Sequence, residues 1–208
     1  MIANNGLKTL IIRYSGELTT KGKGTRKVLQ KALIRNLREA LSENGISESP
    51  VAFRERAFVH QVQDQAAEIA SRVFGVQSAS LAIPFEAKDL KTTVEEAKKV
   101  FAPLVASKSF AVRTRLVGGT SGYDWSATKL ERELGTALLP FASRVDLSNP
   151  EFTALVETHR NQLFAVTHTR KGPAGLPFSG EGRALALVSG GYDSAVAAWK
   201  VMRRGVHV

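Results

Sequence analysis

Apolar and polar positions change period several times along this chain, and each change marks a predicted element. Residues 7–14 carry Leu10, Ile11 and Ile12 at the centre of a short run, which predicts a strand. A polar, glycine-punctuated stretch follows at 15–27. From 25 to 44 the period becomes helical. Leu29, Leu33, Leu37, Ala40 and Leu41 fall on one side, Lys27, Lys31, Arg35 and Arg38 on the other, and Gly45 supplies the stop. Short strands are predicted at 51–53 and 58–62, a helix at 66–74 ended by Gly75, and a strand at 78–83.

That order, βαββαβ, predicts a ferredoxin-like domain with helices on one face of an antiparallel sheet. A second unit follows. Residues 92–105 read as a helix that Pro103 limits, and 109–116 as a strand. In that strand Phe110, Val112, Thr114 and Leu116 take one face, Arg113 and Arg115 the other, and Gly118 and Gly119 break it. Leu130, Leu134 and Leu138 are spaced for burial on a helix at 126–139, which Pro140 stops. Strands at 151–158 and 162–167 flank His159, Arg160 and Asn161 as a hairpin.

Composition then shifts. Residues 169–182 hold four glycines and two prolines in fourteen positions and read as a linker. Beyond it, 184–188 is a run of small and branched apolar residues, predicted to be a buried strand. It breaks into Ser189, Gly190 and Gly191 and passes into AVAAWKVMRR, a helix whose first turn Asp193 or Ser194 is suited to cap. Residues 205–208 read as the start of another strand.

Composition narrows the function. No run of about 18 apolar residues is present to cross a membrane, and the first residues lack the apolar stretch of a signal peptide. Zero cysteines exclude disulfides and thiolate metal sites and fit a cytoplasmic protein. The four histidines have no metal-ligand spacing. A net charge of +10 points to a polyanionic partner. The basic stripe on the 25–44 helix reads either as a solvated face or as a surface for RNA. Its continuation into Lys21, Lys23, Arg26 and Lys27 favours RNA. Arg113 and Arg115 read either as guards of an edge strand or as phosphate contacts, with Lys129 and Arg132 on the next helix and Arg170 and Lys171 further on.

A strand, a tight glycine turn and a helix start make an anion site, because unpaired N–H groups point out of the helix end. No Gly-Lys-Ser/Thr follows, so this is not a Walker loop. The string Ser189-Gly190-Gly191-Tyr192-Asp193-Ser194 resembles the PP-loop of ATP pyrophosphatases. The resemblance implies adenylation chemistry. Ser189, Gly190, Gly191 and Ser194 would grip ATP phosphates, Asp193 would shape the turn or assist Mg2+, and Leu187 and Val188 would lie beside the adenine.

Three pieces extend the resemblance: IRYSGELTTKGKGTRK, SFAVRTRL with a later VDLSNPEF, and KGPAGLP leading into LVSGGYDSAVAAWKVMRRG. Together they are similar to the N-terminal part of ThiI-type tRNA 4-thiouridine synthetases. The implied fold is α+β: a ferredoxin-like domain at 1–75, a THUMP domain at 76–168, a linker at 169–182, and the first βα unit of a truncated PP-loop domain at 183–208. The family implies tRNA held by its acceptor end, adenylation of uridine 8, and sulfur delivered through a cysteine desulfurase. Some members also serve thiamine thiazole synthesis, and the resemblance admits a homodimer. Tyr192 and Ala195 depart from the usual loop residues. The family's sulfur-bearing cysteines lie in a region this chain lacks, so the 208 residues are expected to bind tRNA rather than to catalyse alone. A stand-alone THUMP-type RNA-binding module is the alternative. A PP-loop ligase acting on a small molecule is disfavoured by the basic N-terminal half.

Overall fold

A computed structural model describes residues 7–117, 123, 125–159 and 162–208. The chain divides into two compact units. One holds 7–81 and 169–208, the other 82–117, 123, 125–159 and 162–168.

The first unit opens with β1 (Lys8–Tyr14), a short helix α1 (Gly16–Thr19) and the long helix α2 (Lys23–Glu43). Then come β2 (Val51–Ala52), β3 (Arg56–Val62), α3 (Gln65–Ala70) and β4 (Val76–Phe85). The strand order β2-β3-β1-β4 places β1 inside the sheet, with β1 and β3 antiparallel. Leu29, Leu33, Leu37 and Leu41 recur every four residues and are all buried, so one stripe of α2 lies on the sheet. Burying each such leucine contributes about 1.5–3 kcal/mol. They join Leu10, Ile12, Leu18, Val59, Val62 and Leu81 in one core. Gly45 turns the chain out of α2 at φ +78°, a backbone region where a Cβ is strained.

The second unit contains the end of β4, then α4 (Leu90–Val105), β5 (Ser109–Val117) and α5 (Ala127–Leu138). A single 3-10 turn (Leu139–Phe141), β6 (Arg144–Val145), β7 (Phe152–His159) and β8 (Gln162–Lys171) follow. The order is β8-β7-β5-β6. β5 runs parallel to both β6 and β7, and β7 antiparallel to β8. A parallel pair needs a long crossover, and α5 supplies it. Phe101, Phe110, Leu130, Leu134, Leu138, Val156 and Leu163 make the second core. Asp89 and Thr92 form a reciprocal capping box at the start of α4. Pro103 lies inside α4, where it removes one i→i−4 donor, and the helix ends two residues later at Val105. The predicted break at Gly118 and Gly119, and the hairpin turn at Arg160 and Asn161, lie outside the described residues.

Two expectations are corrected at the C-terminal end. Residues 184–188 form no strand, and Leu185, Leu187 and Val188 are 88%, 87% and 68% exposed. An apolar run becomes a strand only with a partner to satisfy its backbone. Here one parallel rung forms, Arg183 with His207, and the residues after Ala184 find no neighbour. The helix α6 (Tyr192–Arg203) is capped by neither Asp193 nor Ser194. Its N-cap is Gly191, without a side-chain cap. Asp193 stands in the first turn, and Ser194 Oγ donates backwards to Gly191 O (2.9 Å) and Ser189 O (3.2 Å).

Residues 169–182 are ordered chain. Thr169 Oγ1 meets Ser80 Oγ at 2.9 Å, Gly172 N–H donates to Gln77 O and Ala174 N–H to Val76 O. Leu176 is buried in the first core.

Tyr14 is buried at the end of β1, where Gln30 Nε2 reaches its hydroxyl at 3.5 Å and Phe53 O at 2.5 Å. Burial pushes its pKa from 10.0 up to about 12. The unfolded chain therefore ionises first as pH rises. The stabilisation is whole below pH 10.0 and is lost towards about 12. Urea titrations across that range should show stability falling with a slope that Tyr14→Phe reduces. An equal slope in both proteins would contradict the buried phenol.

Candidate nucleic-acid interface and phosphate loop

In the first unit the polar stretch after β1 folds as two helix starts. Ser15 caps α1, accepting from Leu18 N–H at 3.3 Å, and Gly22 caps α2 with no side-chain hydrogen bond. The first turn of α2 thus presents backbone N–H groups to water. A Cβ at Gly16, Gly22 or Gly24 would meet nothing within 4 Å, so packing does not require these glycines. Lys21, Lys23 and Lys27 are exposed, and Arg26 is half-buried with Nη1 near Lys21 O (3.4 Å). Among the described residues no carboxylate pairs with these four cations. Several other arginines of the unit are matched: Arg35 with Glu39, Arg72 and Arg170 with Glu68, Arg204 with Glu17. Unmatched charge on a helix start repels itself and is relieved by an anion.

Arg170 is exposed but committed to Glu68 at 2.8 Å, whereas Lys171 is exposed and unpaired among the described residues. At the far end of the unit, Ser189, Gly190 and Gly191 are exposed. A Cβ at Gly190 would meet nothing within 4 Å, and one at Gly191 only Ser189 Oγ at 3.7 Å. The loop is an open cradle at the positive end of α6, and its donors fit phosphate oxygens. The side predicted to face adenine is different. Leu187 and Val188 stand in solvent, so the chain builds no wall there. No cluster of three metal-ligating side chains occurs among the described residues. Asp193, in the first turn of α6, is the carboxylate that follows the glycine turn.

The second unit carries the other predicted contacts. Arg113 and Arg115 are exposed on β5, yet both are engaged. Arg113 donates to Leu147 O (2.7 Å) and Val112 O (3.1 Å). Arg115 pairs at 3.5 Å with Glu157, whose side chain is 1% exposed. Lys129 lies exposed in the first turn of α5, next to the Ser126 cap. Glu131 also guards this edge, its carboxylate accepting the free Thr114 N–H at 2.7 Å. Glu151 clamps the start of β5 through Ser109 N–H (2.7 Å) and Oγ (2.9 Å). These bonds, Ser109 N–H first, hold its carboxyl below the usual range.

The structure therefore gathers Lys21, Lys23, Arg26, Lys27, Arg170, Lys171 and the glycine loop on one unit, and Arg113, Arg115 and Lys129 on the other. Sequence reasoning missed Ser15, Gly175 and Arg203, which bond to one another's segments at the base of α6. The second glycine of KGPAG, Gly175, was the available signal, and its φ of +72° is a turn that favours glycine.

Three family descriptions match in order. A ThiI ferredoxin-like domain matches residues 9–80, a THUMP domain 87–165, and Thiamine biosynthesis protein (ThiI) 179–208. A probable tRNA sulfurtransferase of Saccharolobus solfataricus is 36% identical over 198 residues, covering 94% of this chain and 51% of that protein. The tRNA sulfurtransferase of Pyrobaculum aerophilum is 37% identical over 205 residues, covering 97% and 41%. The chain thus spans about half the length of the curated relatives it matches. Among solved structures, PH1313 from Pyrococcus horikoshii superposes with a TM-score of 0.82 at 29% identity, covering 96% of this chain and 66% of that one. A 4-thiouridine synthetase–RNA complex with bound ATP gives 0.76 at 26% identity, covering 96% and 51%.

The pairing of Arg115 with a buried carboxylate changes how that residue must be tested. Arg115→Glu should destabilise the protein by about 1–3 kcal/mol in urea, because Glu157 then faces a like charge. Arg113→Gln should cost less than about 1 kcal/mol. Equal stability of the two variants would contradict the pairing.

Proposed function

Because the chain belongs to the ThiI family, we propose that it is the RNA-holding part of an ATP-dependent tRNA sulfurtransferase, whose whole-length form makes 4-thiouridine at uridine 8. One observation carries this reading. The unpaired cations at the start of α2 and the glycine loop at the start of α6 belong to one compact unit. RNA phosphates and a nucleotide triphosphate would therefore be held by one body.

In this reading Lys21, Lys23, Arg26 and Lys27 bind backbone phosphates, and Arg113, Arg115, Lys129, Arg170 and Lys171 add to the field. Such contacts position RNA by shape and charge rather than by base sequence. Ser189, Gly190, Gly191 and Ser194 hold ATP phosphates, with Asp193 beside Mg2+. ATP supplies the chemistry: adenylation turns the uridine oxygen into a better leaving group before sulfur attacks. This chain has no cysteine, so sulfur comes from elsewhere, with a cysteine desulfurase as donor. Among the described residues no helix is long and apolar enough to cross a membrane, and a cytoplasmic setting belongs to the same proposal.

The exposed Leu187 and Val188 favour a narrower role for the 208 residues by themselves. Without an adenine wall they bind tRNA and hold ATP weakly or not at all.

Filter binding of tRNA at increasing salt tests the reading. Affinity should fall steeply, and the plot of log affinity against log salt should be linear. Replacing Lys21, Lys23, Arg26 and Lys27 together by alanine should flatten that slope by about one unit for each phosphate no longer neutralised. A flat response in the parent chain, or an unchanged slope in the variant, would overturn it.

A further inference from the structure

The backbone at 172–176 meets three elements of the first unit within a few residues. Gly75 N–H donates to Ala174 O (2.9 Å), Ser15 N–H to Gly75 O (2.8 Å), and Ser15 Oγ to Gly175 O (2.5 Å). Leu176 N–H then donates to Arg203 O at 2.9 Å, and Arg203 Nε returns to Pro173 O at 2.6 Å. One hydrogen-bonded relay thus runs from the end of β1, through the turn after α3, to the last turn of α6. Arg204 adds an ion pair to Glu17 of α1.

Contact here is too close for a side chain. A Cβ on Gly175 would stand 2.2 Å from Arg203 O and 2.7 Å from Arg203 Cγ, and the residue sits at φ +72°. Higher on α6, Trp199 packs edge-on against Phe74 at 5.5 Å, with the Arg203 guanidinium 5.9 Å from its ring. These contacts fix the helix at its C-terminal half. The glycine loop sits at its other end, about 18 Å from Arg203.

We propose that Ser15, Gly175 and Arg203 are positioning residues, which fix the direction in which α6 presents its phosphate loop to the RNA-binding face of the same unit. The functional meaning rests on the ATP reading of that loop; the geometry does not. The arrangement is a lever. A shift of about 1 Å at Arg203, taken up as a tilt about Trp199, moves the loop end by about 2 Å, since that arm is about twice as long. Reacting groups displaced by about 1 Å lose about 100-fold in rate. Ser15 belongs to the same polar stretch as the α2 cations, so the platform for RNA and the seat of α6 begin at one residue.

The absence of native cysteine gives a direct test. Spin labels on Glu39→Cys and Ala195→Cys, both exposed sites, report the distance between α2 and the start of α6 by pulsed dipolar spectroscopy. The otherwise unaltered chain should give one narrow distance. Adding Gly175→Ala should shift it by about 2 Å or broaden it clearly, while tRNA affinity stays within about twofold. Gly182→Ala, whose Cβ would meet nothing within 4 Å, should leave the distance as it is. If Gly175→Ala does not fold, Ser15→Ala removes one hydroxyl of the relay and should broaden the distribution. An unchanged, narrow distance in whichever of the two folds overturns the proposal, as does equal broadening in Gly182→Ala. A failure of the RNA reading appears separately, as absence of tRNA binding by the parent chain, and leaves the distances to decide the tie.

Discussion

Two missing Cβ atoms govern how the first unit is built. At Gly172 a Cβ would lie 2.2 Å from Val76 O, and at Gly175 the same distance from Arg203 O. Only glycine lets the returning chain lie against β4 and then against α6. Through that approach the amides of Gly172, Ala174 and Leu176 find acceptors, and Leu176 enters the core that also holds Leu29 and Leu33. The start of β4 gains backbone partners, and a helix with no buried residue of its own gains an anchor. Without it, α6 would be an exposed helix of twelve residues, too short to be stable alone in water.

Charge is distributed with the same economy. Several arginines of the first unit have a carboxylate within reach, as Arg170 has Glu68 and Arg204 has Glu17. Exposed pairs of this kind contribute little to stability, and they also neutralise the surface they occupy. The cations from Lys21 to Lys27 are left without such partners. Four cations, Lys21, Lys23, Arg26 and Lys27, therefore stand together where backbone donors at the start of α2 add their own positive field.

Much of this was legible in the sequence, for identifiable reasons. Leucines at 29, 33, 37 and 41 specify one buried stripe whatever surrounds them, and Gly45 follows the end of α2 at positive φ, as a helix stop requires. Gly75 is not the predicted stop, since α3 ends at Ala70 with Ser71 as its cap. Short elements escaped. α1 spans four residues and β6 two, too few for any period to register. The run at 184–188 misled because an apolar sequence names a preference for burial, and burial needs a partner. One parallel rung at Arg183 is all that forms. Glycine and proline at 172–177 announced a break in secondary structure, and the same residues permit close packing, a distinction that only neighbours decide. For the candidate site, Lys21, Lys23 and Lys27 were legible as cations, but the engagement of Arg115 by Glu157 depends on a cross-strand neighbour 42 residues away.

Amide hydrogen exchange on the intact chain tests most directly whether the returning segment is a structural tie. The N–H groups of Gly172, Ala174, Leu176 and Gly205 should be protected nearly as strongly as those of β1. The amides from Leu185 to Val188, which have no partner strand, should exchange at the rate of open chain. Rapid exchange at Gly172, Ala174 and Leu176, matching that of Leu185 to Val188, would contradict it.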